Sequence, residues 1–462
     1  MDYLIWVGPR DTDIEFSNYF EESICYYSKN NLLSYREAHI YGAVFLKFVT
    51  SRMRKILSNH SNAKFVFYNP KIAYSLDENL RKHVVCLNQK YILELLSDKI
   101  YTRYWFGNYV PVLPSVLTDS YHLSFTDLNS KLGFSNAYVV QQNKSSGGFG
   151  TFYLTPQNQM LSKLKNSYNE VFIVSPYIAK SISVNINAII YCKNIQLFPP
   201  SIQIVENNNN RLLYHGADYV AAQKLSSEIH QKIQNYSDII LQHIQTLGYR
   251  GIIGLDFIVT DDNVYFQEVN PRYQASSFLI DIELSAKELP SLSEMNFMAF
   301  NNYTCPEFVT QNLVIDYSFY KYLYFKGAKH VYHIANKASQ NPFVYRICLD
   351  GWNERMDNEA DAYCYSLVFS TNITSINFDG CIDIYSNISG EEKYINENIT
   401  SQIGLKIALL NQGCIIPENT NNFLNVRGIV KKAVFSSIDF QLTNGVYINA
   451  PVNLKFTDFS PL

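Results

Sequence analysis

The sequence predicts a mixed α/β and α+β protein of three domains, and three observations carry that prediction. The 462-residue chain is long enough to bury more than one sizeable core. Its first hundred residues alternate short apolar runs with longer polar stretches. Beyond residue 130, strand-like runs are separated by tight turns and by helical segments, which fits strands pairing with their neighbours in sequence.

Within residues 1–110, "YLIWVG" (3–8), "AKFVFYNP" (63–70) and "HVVCLN" (83–88) are short strands ending in Gly, Asn or Pro, with stretches such as 36–58 long enough for helices. This alternation predicts a parallel sheet with helices on its faces. A helical pattern over 91–106 leads into the extended, Pro-punctuated "VPVLPSVL", which sets the first boundary near residue 110. In 111–310 the sequence predicts two strands flanking a Gly-rich turn (137–154), a helix (158–169), a strand (170–178), two further strands (183–191 and 195–205) and a loop at "ENNNN" (206–210). A helix over 217–247 follows; it carries Ile229, Ile233, Ile240, Leu241, Ile244 and Leu247 at near-helical spacing and stops at Gly248. Residues 311–462 are predicted to form an additional α+β domain, with a Tyr-rich helical segment (315–326), short strands, a helix near 401–411 and a hairpin at the Asn444-Gly445 pair.

Composition narrows the function classes. Apolar residues make up 47% and charged residues 17% of the chain, with a net charge of −3, which excludes nucleic-acid binding through bulk charge. The eight cysteines form no CxxC pair and no Cys/His cluster at metal-ligand spacing, so they read as reduced, mostly buried thiols. No signal-peptide pattern and no apolar run of about 18 residues is present, which predicts a cytoplasmic protein with no membrane partner. The sequons at Asn372, Asn387 and Asn398 then read as products of an Asn- and Ile-rich composition, and "RMRK" (52–55) as the solvated face of a helix.

The chemistry concentrates in "RGIIGLDFIVTDDNVYFQEVNPR" (250–272), which spends Asp256, Glu268 and Asn270 where a sheet wants apolar residues. Asp256 and Glu268 stand twelve residues apart, a spacing that a hairpin of two short strands brings side by side. Asn270 and Arg272 continue at period two on the face of Glu268. Two carboxylates and a carboxamide make an all-oxygen set suited to Mg²⁺, or Mn²⁺, with positions left for phosphate oxygens. The two anions need such a cation to sit together at neutral pH. Spacing alone leaves open the plainer alternative, a hairpin whose polar side chains face water. Arg272 adds a fixed cation aimed at an anionic substrate or a transferred phosphate.

A second feature is "YVVQQNKSSGGFGTFYL" (138–154), two strands around a loop with Gly147, Gly148 and Gly150. Glycines there let the main chain approach a ligand closely at positive φ, with backbone N–H groups free to wrap phosphate oxygens. Ser/Gly-rich hairpin turns without a ligand are common, and the loop alone does not decide between the two.

Taken together, strand, glycine loop and strand, then "VFIVSPYI", then "GYRGIIGLDFIV…VYFQEVNPR", resemble the ATP-grasp superfamily of carboxylate ligases over residues 1–290, most specifically at 248–272. The resemblance implies an N-terminal Rossmann-like (pre-ATP-grasp) domain over 1–110, a two-subdomain ATP-grasp core over 111–310, and a C-terminal domain of no assigned role over 311–462. It implies ATP and Mg²⁺ as cofactors, with Asp256, Glu268 and Asn270 as metal ligands and Arg272 on the transferred phosphate or the substrate carboxylate. By the same resemblance Lys99, in "DK" at 98–99, reaches a phosphate, and Gly147, Gly148 and Gly150 close over it. Ser175, Pro176, Tyr177 and Ile178 line the adenine, while Ser201, Gln203 and His215 lie toward the substrate. Two positions depart from the pattern: Gln141 replaces the usual lysine before the glycine loop, leaving Lys144 to supply the charge, and Ser175 replaces an acidic residue at the adenine hinge.

The implied activity is ATP-dependent ligation of a carboxylate, an amino acid or peptide, to an amine or a carrier thiol in specialised biosynthesis. Its partners would be small molecules or an acyl-carrier protein, and homodimerisation is common among such enzymes. Loading of glutamate onto an acyl-carrier protein, as in butirosin (aminoglycoside) biosynthesis, is one specific case. The other readings are an ATP-binding regulatory protein without catalysis, favoured by Gln141, and a sugar- or nucleotide-binding α/β protein without phosphoryl transfer.

Overall fold

The computed structural model describes residues 3–10, 14, 17–28, 31–32, 43–145, 147–148, 150–167, 170–179, 181–208, 210–301, 313–315, 317–325, 343–356, 360–370, 415–417 and 445–447. The chain opens with β1 (Leu4–Arg10), β2 (Glu22–Ser28), β3 (Asn31–Leu32), helix α1 (Ala43–Asn59) and β4 (Lys64–Phe67). These strands form a sheet in the order β3-β2-β1-β4, with β1 parallel to both β2 and β4. The predicted strand at 83–88 contributes only a bridge from Val84 to Phe65. A 3₁₀ helix (Pro70–Ser75) and α2 (Glu78–Arg81) follow.

The predicted helical stretch 91–106 is two helices, α3 (Lys90–Leu96) and α4 (Lys99–Phe106). Asp98 divides them because its side chain accepts from the Tyr101 N–H and so caps α4. Strand β5 (Val116–Asp119), helix α5 (Phe125–Leu132), β6 (Tyr138–Gln142), β7 (Thr151–Leu154), α6 (Met160–Ser167) and β8 (Val171–Pro176) come next. They are followed by β9 (Ile182–Ile190), β10 (Ile195–Leu197), β11 (Ser201–Asn208), β12 (Arg211–Asp218), α7 (Tyr219–Ala222), α8 (Ser227–Thr246), β13 (Gly251–Val259) and β14 (Val264–Asn270). The sheet runs β14-β13-β9-β11-β12-β7-β6-β8-β5. Helices α9 (Ser277–Ala286) and α10 (Leu292–Phe300) then pack on it.

Several expectations are corrected here. The strand predicted over 195–205 is interrupted at Pro199-Pro200, since proline cannot donate to a ladder. The predicted loop at 206–210 largely belongs to the β11–β12 hairpin, which pairs as far as Asn208 with Arg211. The helix predicted over 217–247 is broken between α7 and α8, where Ser226 caps α8 through the Ile229 N–H. The Tyr-rich segment predicted as helix is the strand β15 (Tyr317–Phe325), which pairs with β12 and with β17 (Ala360–Ser370), itself paired with β16 (Phe343–Met356). Closely set aromatic side chains suit a pleated surface better than a helix turn. Strand β18 (Ile415–Pro417) pairs with β19 (Gly445–Tyr447). The predicted helix near 401–411, the three sequons and Asn444 lie outside the described residues.

The period of two in β9 decides which face becomes the site. Ile182, Val184, Ile186, Ala188 and Ile190 face a core shared with Ile229, Ile233, Ile240 and Ile244 of α8 and with Ile253, Leu255 and Phe257 of β13. Asn185 and Asn187 therefore point to the opposite face, as do Gly254 and Asp256 of β13. The entry to β13 is held by Gly251 at φ +90, where an added Cβ would collide with the Asn296 carboxamide that accepts from the Ile252 N–H. Gly251→Ala is expected to destabilise the protein by about 2 kcal/mol, from backbone strain and the displaced hydrogen bond. Urea denaturation checks this; an unchanged midpoint would show that the strand tolerates the shift.

Candidate active site

The strand registers place the polar residues in two rows. Ser201 on β11 pairs with Asn185 on β9, Asn185 with Asp256 on β13, and Asp256 with Glu268 on β14. The next row sets Asn187 beside Gly254 and Gly254 beside Asn270. Gly254 is required because a Cβ there would stand 2.5 Å from the Gln274 carboxamide, which folds back over the row to donate to the Arg272 carbonyl.

Asp256 is the hub. One carboxylate oxygen accepts from the Asn185 amide at 2.5 Å and from Gln203 at 3.1 Å, and the other from Asn270 at 2.9 Å. Burial pushes the Asp256 carboxyl up to about 7, and the neighbouring Glu268 charge adds to the rise. Burial alone would raise Glu268 as well, but the Lys99 ammonium 2.9 Å away and the contact with Asp256 hold it below the ordinary carboxylate range, with Arg103 contributing. One side chain of the pair thus favours the proton and the other the charge, as two carboxyl groups sharing a site do. Their oxygens are hard donors of the kind Mg²⁺ or Mn²⁺ takes, while Asn270 turns its amide N–H to Asp256 and its oxygen to Arg272.

Lys99, in the first turn of α4, links this cluster to the glycine loop: it also donates to the Ser145 hydroxyl at 3.3 Å. The loop is tied to the same helix end by Asn143, which accepts from the Ile100 N–H and donates to Asp98. Gly147 and Gly148 take φ +64 and +82, conformations that side chains resist, and Gly150 has no room for one beside Ser145 and Gln142. Lys144 is exposed, and its charge acts on Lys71, on the 3₁₀ helix.

The remaining predicted residues distribute as follows. Gln203 joins the cluster through Asp256. Arg272 joins it through Asn270, whose oxygen accepts from the guanidinium at 3.2 Å, while its other arm bonds the Tyr273 carbonyl. Ser201 is buried in the polar row with its hydroxyl beside Tyr219. Ser175 is buried at the end of β8, across from Val139, with Pro176, Tyr177 and Ile178 half-buried after it. The Tyr177 N–H donates to the Ala137 carbonyl, which fixes this hinge against β6. His215 lies on β12 with its side chain outside the described residues.

Five participants are not among the residues singled out from sequence. Asn185 and Asn187 did carry a signal, since "SVNINAII" alternates carboxamides with apolar residues as the 250–272 stretch alternates carboxylates. Gln267, Gln274 and Arg103 carried none. Gln267 is the extra residue of a bulge, because Asp256 pairs with Glu268 but Phe257 with Phe266. Its carbonyl accepts from both Nε and Nη2 of the buried Arg103, and Nη2 also donates to Gln141 at 2.8 Å. Among the described residues no helix is long and apolar enough to cross a membrane.

Residues 96–276 match the sequence profile described as the ATP-grasp domain. No curated protein sequence matches the chain. Among solved structures, the chain is similar to the biotin carboxylase domain dimer of Hydrogenobacter thermophilus 2-oxoglutarate carboxylase in complex with MgADP, ADP and bicarbonate. The TM-score is 0.54 at 11% identity, over 95% of this chain and 100% of that one. It is also similar to a biotin carboxylase–ATP analogue complex from Campylobacter jejuni (0.52, 12%, 80% and 88%). A third is N5-carboxyaminoimidazole synthetase from Staphylococcus aureus with ADP (0.50, 13%, 83% and 90%). The chain therefore has the ATP-grasp fold.

Proposed function

We propose that this protein is an ADP-forming ligase that activates a carboxylate as an acyl phosphate and couples it to an amine or a carrier thiol. The observation that carries the proposal is the convergence of Asp256, Glu268 and Asn270 with Lys99, which in turn touches the glycine loop. ATP and Mg²⁺ are the cofactors this reading requires, consistent with the ADP and MgADP bound in the similar structures. When bound, the metal would neutralise charge on the phosphate oxygens.

Each residue has a task in this reading. Asp256, Glu268 and Asn270 hold the divalent ion, with Asn185 and Gln203 fixing the Asp256 carboxylate. Lys99 places a cation at the phosphate chain, the Gly147-Gly148 turn offers backbone N–H groups, and the closed loop keeps water from the acyl phosphate. The hinge 175–178 receives the adenine. Arg272 orients the carboxylate whose oxygen attacks the terminal phosphorus; ADP departs, the nucleophile then attacks the carbonyl carbon, and inorganic phosphate leaves. Residues 1–110 are assigned as the Rossmann-like pre-ATP-grasp domain, 111–310 as the core and 311–462 as an accessory domain. Glutamate loading onto an acyl-carrier protein remains the specific case carried over from sequence, and a cytoplasmic homodimer the assembly.

The regulatory alternative rests on Gln141, which leaves β6 without a cation. Release of ADP from MgATP, screened over amino acids as carboxylates and then over amines and carrier proteins, separates the two. Carboxylate-dependent ADP formation is the expected result. Tight MgATP binding with no carboxylate able to provoke turnover would favour the regulatory protein.

A further inference from the structure

The residue of β6 that reaches the glycine loop is the neutral Gln141, and a cation contacts it from a different element. Lys99 and Arg103 are four residues apart on α4, so they share a face and are separated by about 6 Å along the axis. Both are buried, and the other strongly buried polar side chains among the described residues are amides, hydroxyls and carboxylates. Lys99 meets Glu268 and the glycine loop; Arg103 meets Gln141, the residue standing where the strand reaches that loop. Structural demands account for only part of the Arg103 guanidinium. Nε and Nη2 satisfy the carbonyl that the Gln267 bulge leaves unpaired, and Nη2 also reaches Gln141. Nη1 is buried and has no hydrogen-bond partner among the described residues, although the side chain is only 4% exposed and feels the Glu268 charge. A buried guanidinium nitrogen bearing two donors and no acceptor is destabilising unless something supplies an oxygen.

We infer that Arg103 serves as the second phosphate-binding cation, with Nη1 donating to an oxygen of the nucleotide's diphosphate while Gln141 holds the guanidinium in place. The inference rests on the nucleotide-binding reading proposed above and adds to it the residue that compensates for Gln141. Gln141 is then a positioning residue: its carboxamide oxygen accepts from Arg103 and from Gln267 at 2.8 Å each, which fixes the fork from two sides. A lysine at 141 would place a like charge against Arg103, so the substitution at one position explains the residue at the other.

The test is isothermal titration of the full chain with MgADP and, as a ligand lacking phosphates, adenosine. Arg103→Met is expected to weaken MgADP at least tenfold and leave adenosine within about twofold, the loss of one charged hydrogen bond. Arg103→Met/Gln141→Lys, which moves the charge back to the strand, should recover most of the MgADP affinity without recovering thermal stability, because the Gln267 carbonyl stays unsatisfied. Unchanged MgADP affinity in folded Arg103→Met, equal losses for both ligands, or no rescue by Gln141→Lys would overturn the inference and assign Arg103 to the bulge alone. If Arg103→Met does not fold, Arg103→Lys decides by the same comparison: an ADP-selective loss supports the inference and a uniform effect overturns it. Failure of the unmodified protein to bind MgADP would instead remove the ligase reading, an outcome visible before any variant is made.

Discussion

Glu268→Gln is expected to lower carboxylate-dependent ADP release by about a hundredfold or more, the scale seen when one element of a preorganised electrostatic site is removed. The substitution keeps shape and one oxygen but removes the charge that Lys99 pairs with at 2.9 Å and that faces Asp256 across the β13–β14 ladder. Both consequences act in one direction. On the proposed metal reading the divalent ion would lose an anionic ligand, and the Lys99 ammonium, no longer held by Glu268, would lose its fixed position beside Ser145. The comparison variant is Asp262→Asn, an exposed carboxylate in the turn of the same hairpin. It should retain activity within about twofold, as surface substitutions away from such features do. Initial-rate measurement of ADP formation at saturating Mg²⁺ checks both; equal losses at the two positions would withdraw Glu268 from the metal site.

The juxtaposition of the candidate residues was legible in sequence wherever it depends on strand period and spacing. Asp256 and Glu268 were placed opposite one another because a hairpin brings residues twelve apart together, and the ladder pairs them directly. Gly147, Gly148 and Gly150 were read as allowing close approach and positive φ; Gly147 and Gly148 adopt positive φ, while at Gly150 it is crowding by Ser145 and Gln142 that excludes a side chain. The residues that escaped are those set by long-range packing. Arg103 lies 164 residues from the carbonyl it satisfies, and that carbonyl is free only because a bulge occurs at Gln267. A bulge is a one-residue register change that no local pattern announces. Gln203 was selected by resemblance but holds Asp256, 53 residues away. Secondary structure failed for a related reason: the aromatic run 317–325 pairs as a strand with β12, a partner a hundred residues earlier, and the tertiary partner overrides local pattern. Asp98 divides one predicted helix into two because a capping side chain outweighs continuous apolar spacing.

Lys99→Met offers a separate measure of how the carboxylates are balanced when no nucleotide is present. Side-chain exposure of 9% for Lys99 and 16% for Glu268 puts the pair in the range where breaking it, rather than its net worth, dominates the energetics. With the ammonium gone, Glu268 is left beside Asp256 with Arg103 as the neighbouring cation that still favours its charge. The variant is therefore expected to be less stable by about 3 kcal/mol in urea. Glu268→Gln in the same background removes the stranded charge, so the double variant should be more stable than the sum of the two single losses predicts, by about 1–3 kcal/mol. Strict additivity would mean that the two side chains do not interact in the folded protein. The divalent ion supplies a second axis to the experiment. If Mg²⁺ binds the same oxygens, it takes over part of the neutralisation that Lys99 provides, and a ligand that binds only the folded state raises its melting temperature. Millimolar Mg²⁺ without nucleotide should then raise the melting temperature of Lys99→Met more than that of the unmodified protein, and should lose this effect in Lys99→Met/Glu268→Gln. An identical Mg²⁺ shift in all three proteins would place the ion somewhere other than between Asp256 and Glu268.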